Sequence, residues 1–204
     1  MNLSHTITTS EQLDALFDKV PDASRQKEID YIHPLYREMI EASPFAILAT
    51  AGPDGLDVSP RGDPSGFVTV RDEKTLLIPE RRGNNRIDSL RNIVTDPRAA
   101  LLFLIPGVGE TLRVNGRASI TTDPDIIESF AMDGNLPKCV VVLHVEAVFF
   151  QCARAIKRSA LWQNAAESKK DIPSPGTILA ALTETIDGKK YDVELPARLQ
   201  STLY

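Results

Sequence analysis

The sequence has few of the residues that bind metal ions or cross-link small proteins. It contains two cysteines and three histidines in 204 residues. Cys139 and Cys152 are thirteen positions apart in apolar, strand-like sequence. That spacing supports neither a disulfide framework nor a CxxC metal motif, and it favours two buried free thiols. The histidines share no ligand spacing with each other or with carboxylates. We therefore expect neither a disulfide nor a metal site.

Long apolar runs and an excess of positive charge are also missing. No segment approaches the ~20 apolar residues that cross a bilayer, and the first residues are polar and acidic, unlike a signal peptide. The formal net charge of −5 argues against general binding to nucleic acid or to a membrane surface. We expect a cytoplasmic protein whose ligand is a small molecule. Its apolar fraction of 42% is ample for a real core.

The familiar motifs of catalysis and dinucleotide binding are absent as well. Gly107 and Gly109 are followed by no third glycine at the required spacing, and the next element has the pattern of a strand, so a dinucleotide fingerprint is not supported. No Ser/His/Asp or Cys/His set and no convincing pair of carboxylates can be recognised. The catalytic residues are therefore unknown, and such a chain would need a cofactor to carry out chemistry.

The most informative stretch lies between residues 75 and 116, where a short apolar strand leads into a basic, Gly/Asn-rich turn and then into a helix. Residues 81–98 hold five arginines against two aspartates, so positive charge is concentrated here in an acidic protein. The pattern places Arg86 in the first helical turn, where a cation opposes the helix dipole unless an anion joins it. With Arg61 in a second Arg-Gly turn, the pattern predicts a phosphate site. A solvated basic loop is the alternative.

Periodicity predicts about seven strands in sequential, mostly antiparallel connection, which suits a small closed barrel. The expected strands cover residues 45–50, 56–60, 67–70, 75–78, 99–105, 111–120 and 139–151. Helices are expected at 10–20, between Pro34 and Ser43, at 86–95, after Pro124 and at 175–186, with an irregular tail to Tyr204. The first two helices should pack on the outside of the sheet.

Several motifs together resemble the pyridoxamine 5′-phosphate oxidase-like FMN-binding split barrels. The motifs lie at residues 57–64, 83–90, 92–103 and 112–118, and residues 148–162 are similar to one bacterial branch. The resemblance implies a mainly β (α+β) fold, an antiparallel split β-barrel of the Greek-key type with flanking helices at both termini. It divides the chain into a helical extension (1–43), an FMN-binding split barrel (44–162) and a helical or irregular extension (163–204).

The same resemblance implies a homodimer with FMN in clefts between the two subunits. The positions that hold the FMN phosphate are matched by Arg61, Arg86 and Asn85. Positions along the cofactor are matched by Ser59, Pro79 and Glu80, a position near the isoalloxazine ring by Thr111, and one further along that strand by Arg113. The second subunit would contribute Lys157, Arg158 and Trp162. A hydrophobic plug is an equally good interpretation of the tryptophan.

The sequence departs from true pyridoxamine phosphate oxidases, which hold the substrate phosphate with a tyrosine and an arginine on the helix after the Arg-Val-x-Gly strand. Residues 121–137 contain no Tyr, Arg, Lys or His, and the Arg-x-His of those enzymes is missing after Arg154. We therefore expect poor binding of that substrate. The resemblance implies an FMN-dependent oxidoreductase that transfers hydride to or from an unknown small molecule. A flavin carrier or sensor without turnover, and a barrel that holds haem or a deazaflavin, stay open.

Overall fold

The centre of the fold is one antiparallel sheet of seven strands. The computed structural model describes residues 5–163 and 172–204. The strands are β1 (Phe45–Gly52), β2 (Gly55–Gly62), β3 (Thr69–Asp72), β4 (Thr75–Pro79), β5 (Arg98–Leu104), β6 (Thr111–Thr121) and β7 (Val140–Gln151). Their order in the sheet is β2-β1-β5-β6-β7-β4-β3. The predicted mainly β split barrel is thereby confirmed. The connections are not simply sequential, because β1 pairs with β5 and β4 with β7, as in a Greek key.

The helices lie before and after the strands in the chain, and two of them, α4 and α5, lie between strands. They are α1 (Ser10–Asp14), α2 (Asp22–Gln26), α3 (Pro34–Ala42), α4 (Asp88–Thr95), α5 (Pro124–Glu128), α6 (Arg154–Ser159), α7 (Pro175–Leu182) and α8 (Gly188–Ser201). The prediction that both early helices pack on the sheet holds for α3, which buries Ile40, and is wrong for α1, which is shorter than expected and buries no residue.

The tail that was expected to be irregular contains the longest of these helices. Asp187 caps α8 by accepting a hydrogen bond from the Lys190 amide at 3.1 Å, and Pro196 is tolerated inside the helix. Proline usually breaks a helix, so the sequence predicted an irregular tail where the structure has α8. Helices α7 and α8 cross so closely that a Cβ on Gly176 would lie 2.1 Å from the Gly188 carbonyl oxygen. The two helices therefore form a tight pair.

The core is built from the inward face of each strand. Side chains alternate between the two faces of a strand. Apart from Thr50, the buried side chains along β1, β5 and β6 are apolar: Ala46, Leu48, Ala99, Leu101, Phe103, Leu112, Val114 and Ala118. Burial of a large apolar side chain stabilises the fold by roughly 1.5–3 kcal/mol. Because α4 follows directly from the loop after β4, this core also fixes the loop that carries the basic residues.

The two cysteines differ in their surroundings. Both are free, Cys139 is buried and Cys152 is exposed. The prediction of two buried thiols is therefore wrong for Cys152, which lies after the end of β7 where the chain leaves the sheet. Burial raises the pKa of the Cys139 thiol, and the nearby Glu80 carboxylate adds to the effect.

Within residues 5–163 and 172–204, no helix has both the length and the apolar character of a membrane span.

Gly116 marks the closest approach between β6 and β7. The pairing of these strands shifts register between Asn115 and Gly116, as at a β-bulge. A Cβ built on Gly116 would lie 2.0 Å from the His144 carbonyl oxygen. Because that oxygen belongs to the backbone of the neighbouring strand, only a shift of the strand could relieve the clash.

We expect Gly116→Ala to lower the free energy of unfolding by about 1–3 kcal/mol, the usual cost of overpacking. Gly83→Ala is the matched control, since a Cβ there meets nothing within 4 Å, and it should leave stability unchanged or raise it by less than about 1 kcal/mol. Urea unfolding followed by circular dichroism measures both. Equal stabilities of the two variants would contradict the close approach.

Candidate functional site

A cleft of about 600 Å³ lies where β2 meets the loop after β4 and the start of α4. Its walls come from residues 57–62, Phe67, the 79–86 loop and the first residues of α4. Four arginines and three carboxylates line it: Arg61, Arg81, Arg82, Arg86, Asp57, Glu80 and Asp88. We call it the arginine cleft. In an acidic protein, this lining gives a local excess of positive charge that favours an anion.

Arg61 is a largely buried cation that lines the arginine cleft. Strand alternation puts Ser59 and Arg61 on the same face of β2. The Arg61 side chain is 15% exposed, and its guanidinium donates to the Glu80 carboxylate and to Ser59 Oγ, the latter at 3.2 Å. Its Nε is buried and has no hydrogen-bond partner. A buried donor without a partner costs about 1–3 kcal/mol, so an oxygen atom of a ligand is favoured there.

Two residues that the sequence analysis did not assign hold Ser59 in place. Ser89, on α4, lies with its Oγ 2.9 Å from Ser59 Oγ and donates to the Asp57 carboxylate. Asp57, Ser89, Ser59 and Arg61 therefore form one chain of hydrogen bonds along the cleft. Ser89 was within the 83–90 motif, but nothing in that motif shows that its hydroxyl faces β2.

The prediction that Arg86 lies in the first turn of a helix is wrong. Helix α4 begins at Asp88, with Ile87 as its N-cap. Asn84 Oδ1 accepts from the Arg86 amide at 2.9 Å, and Asn85 adopts a positive φ of 59°. In turns, asparagine often forms this side-chain hydrogen bond to the backbone and often adopts a positive φ. Asn84 and Asn85 therefore form a turn, and the helix begins after it. Arg86 lines the cleft, is 80% exposed and pairs with Asp88 at 2.8 Å.

A buried carboxylate ties the 79–86 loop to the end of β2. Asp63 is 1% exposed and accepts from Arg81 Nε at 2.6 Å through Oδ2. Arg81 also donates to the Phe130 carbonyl at 2.6 Å. The other Asp63 oxygen accepts from the Tyr204 hydroxyl at 2.7 Å. That hydrogen bond raises the pKa of the Tyr204 phenol, so the hydroxyl stays protonated at neutral pH.

The predicted site residues fall into two groups within one chain. Ser59, Arg61, Pro79, Glu80 and Arg86 all line the arginine cleft, and Asn85 lies beside it, where its side chain accepts from Lys138 at 3.2 Å.

The second group lies around the start of β6 and the end of β7: Thr111, Arg113, Lys157, Arg158 and Trp162. The neighbour of Thr111, Leu112, aligns with Arg61 across β5 and β1, which is three strand spacings along the sheet, or roughly 14 Å. None of the five lines the arginine cleft. Their approach to a cofactor from another subunit stays a prediction.

Several contacts give the second group a defined structure. Thr111 donates to Gln151 Oε1 at 3.3 Å, and the Trp162 indole N–H donates to the Val108 carbonyl at 2.7 Å. The Arg113 guanidinium lies 4.3 Å from the centre of the Phe149 ring. Its Nε is buried without a hydrogen-bond partner, like that of Arg61. Lys157 and Arg158 are exposed in the last turn of α6.

Several solved bacterial structures are similar to this chain. HupZ of Group A Streptococcus is 21% identical over 59% of this chain and 94% of that one, with a TM-score of 0.49. A candidate pyridoxamine 5′-phosphate oxidase from Lactobacillus delbrueckii is 24% identical over 59% and 95%, with a TM-score of 0.46. A Clostridium acetobutylicum protein related to general stress protein 26 is 14% identical over 56% and 84%, with a TM-score of 0.42.

The family assignment depends on a different comparison, because these TM-scores are all below 0.5. No curated protein matches the chain. The family model described as pyridoxamine 5′-phosphate oxidase matches residues 32–152, which is more than half of the chain and includes every residue of the arginine cleft. The chain therefore belongs to the pyridoxamine 5′-phosphate oxidase family.

Proposed function

We propose that this protein binds FMN in the arginine cleft and acts as an FMN-dependent oxidoreductase. The observation that carries the proposal is the buried Arg61 guanidinium, whose Nε has no hydrogen-bond acceptor among the described residues. A phosphate oxygen is a strong acceptor for such a donor. When bound, FMN supplies the hydride chemistry, for which the side chains of the cleft offer no evident substitute.

The residues of the cleft have separate parts in this proposal. Arg61 would bind the phosphate group together with Arg86. Ser59 orients the guanidinium by accepting from Arg61 Nη2, because its own hydrogen is donated to Ser89, which in turn donates to Asp57. Glu80 accepts from the other terminal nitrogen, Nη1 of Arg61. Since each of the three carboxylates is already paired or hydrogen-bonded, their charge opposes an incoming anion less than three free carboxylates would.

A homodimer is the second part of the proposal, because the outer face of β2 and its neighbours is apolar. Leu56 and Val58 on β2 are 85% and 65% exposed. Pro60, Ile47 and Leu102 continue this face across β1 and β5. An exposed apolar patch of this kind marks an interface. A second copy of the chain fits best, because it could also bring the Thr111 and Trp162 group to the cleft.

Arg61→Ala should weaken FMN binding about 10- to 100-fold, since hydrogen bonds to a charged group contribute about 1.5–3 kcal/mol. Arg86→Ala should weaken it less, because that side chain is mostly exposed and paired. Arg98→Ala is the control, since Arg98 is an exposed arginine paired with Asp96 away from the cleft. Visible absorbance after gel filtration measures the retained flavin. Equal retention in all three variants would refute the phosphate site, and a haem or deazaflavin spectrum would refute FMN.

The FMN-loaded protein should oxidise NADH or NADPH under steady-state conditions in the presence of a suitable acceptor. The hydride acceptor would be the flavin, and the protein would bind and orient it. Stopped-flow bleaching of the flavin absorbance, followed by reoxidation with a panel of acceptors, measures both half-reactions. A flavin that stays bound but is neither reduced nor reoxidised at a useful rate would identify a carrier or sensor instead.

Val58→Asp should convert the dimer to a monomer, because a two-fold interface would bury two copies of the new charge. Val193→Asp on α8 introduces the same charge at a valine of similar exposure outside the proposed interface, and it should leave the mass unchanged. Sedimentation equilibrium of both variants and the wild type measures the mass. A monomeric wild type, or equal dissociation in both variants, would count against the interface.

A further inference from the structure

A second cavity, of about 470 Å³, shares the 80–86 loop with the arginine cleft as a common wall. Its other walls come from Ile87 and Leu90 of the α4 region, from residues 135–139 and from Tyr204. We call it the Tyr204 cavity. The two spaces therefore lie on a single loop, and a molecule in one would be next to a molecule in the other.

The Tyr204 cavity carries positive charge that the protein does not neutralise. Arg81 and Arg86, which line it, are paired with Asp63 and Asp88. Its single carboxylate, Glu80, is paired with Arg61. In the part of the chain that the structure describes, neither Lys138 nor Arg82 forms an ion pair, and Lys138 donates to a neutral amide oxygen, Asn85 Oδ1. These two cations are available to an anionic ligand.

The rest of the lining combines apolar side chains with three asparagines, Asn84, Asn85 and Asn135. The apolar part comes from Ile87 and Leu136, which are partly exposed, from Leu90 and the buried Cys139, and from the Tyr204 ring. Apolar side chains that stay open to solvent beside a cationic pair fit a ligand with an apolar body and one charged group. A bare inorganic ion would leave these apolar residues without a contact.

Tyr204 is held in a defined position although it is far from the barrel in sequence. Its hydroxyl binds Asp63, 141 residues earlier in the chain, and its ring lies 5.7 Å from the Arg81 guanidinium carbon. The oxygen and the ring face are therefore both fixed. The segment after α8 thus supplies one wall of the cavity, and this wall lies outside the residues matched by the family model.

We propose that the Tyr204 cavity binds the substrate, a small monocarboxylate with an apolar body. Its carboxylate would pair with Lys138 and Arg82, and its apolar part would contact Ile87, Leu136 and the Tyr204 ring. A carboxylate has two oxygens, so each of the two cations can donate to one of them. The word substrate rests on the proposed flavin function, whereas binding of the carboxylate does not.

Isothermal titration of the full-length protein with benzoate tests this proposal. Lys138→Gln should raise the benzoate Kd about tenfold, because it removes one charge-assisted hydrogen bond. Lys190→Gln, at an exposed lysine of α8, is the control and should bind as the wild type does. Tyr204→Ala should also weaken binding. Tyr204→Phe keeps the ring but removes the hydrogen bond to Asp63, so it should weaken binding less than Tyr204→Ala does.

Four results would overturn the proposal: no binding of benzoate, equal binding by Lys138→Gln and Lys190→Gln, tighter binding of phenyl phosphate than of benzoate, or mutually exclusive binding of benzoate and FMN. The last result would assign the cavity to the cofactor. Flavin retention without benzoate binding would refute this inference alone. Benzoate binding that depends on Lys138, in a protein that retains no flavin, would support the carboxylate site and refute the flavin function.

Discussion

The buried carboxylate of Asp63 is the constraint on which the geometry of both cavities depends. A charge that is 1% exposed is stable only when it is paired and hydrogen-bonded. Asp63 satisfies this requirement with Arg81, from the loop after β4, and Tyr204, from the end of the described chain. Loss of Arg81 would leave a buried charge uncompensated, which typically costs about 3–5 kcal/mol. The loop that separates the two cavities is therefore held at the end of β2.

The charges of the arginine cleft are balanced within the protein to different degrees. Arg86 and Asp88 neutralise each other near the surface, where an ion pair contributes little to stability. Arg61 is different, since Glu80 and Ser59 fix its orientation and its Nε still lacks a partner. A donor that is oriented before the ligand arrives loses little entropy on binding. The contacts with Glu80 and Ser59 therefore orient Arg61 for binding an anion.

The sequence was sufficient for the strands, but not for their order in the sheet, because alternation is a local signal. The alternation of apolar and polar residues in 111–120 predicted β6, which runs from Thr111 to Thr121, because apolar side chains occupy the buried face of a strand. The helix boundaries were less certain. Asn84 and Asn85 can cap a helix or form a turn, and the structure uses the turn, so α4 starts two residues beyond Arg86. Helix α8 was not predicted because it contains Pro196, and a proline usually ends a helix.

The candidate site could be predicted only where its residues share a motif or a strand. Ser59 and Arg61 are two residues apart on β2, so their common direction follows from strand geometry. The contact between Tyr204 and Asp63 spans 141 residues and has no local signal. All residues of the arginine cleft lie within the segment shared with the family, whereas Tyr204 lies outside it. The proposed cofactor cleft is thus built within the matched segment, whereas one wall of the cavity beside it comes from Tyr204, outside that segment. Ligand binding that depends on Tyr204 therefore does not follow from membership of the family.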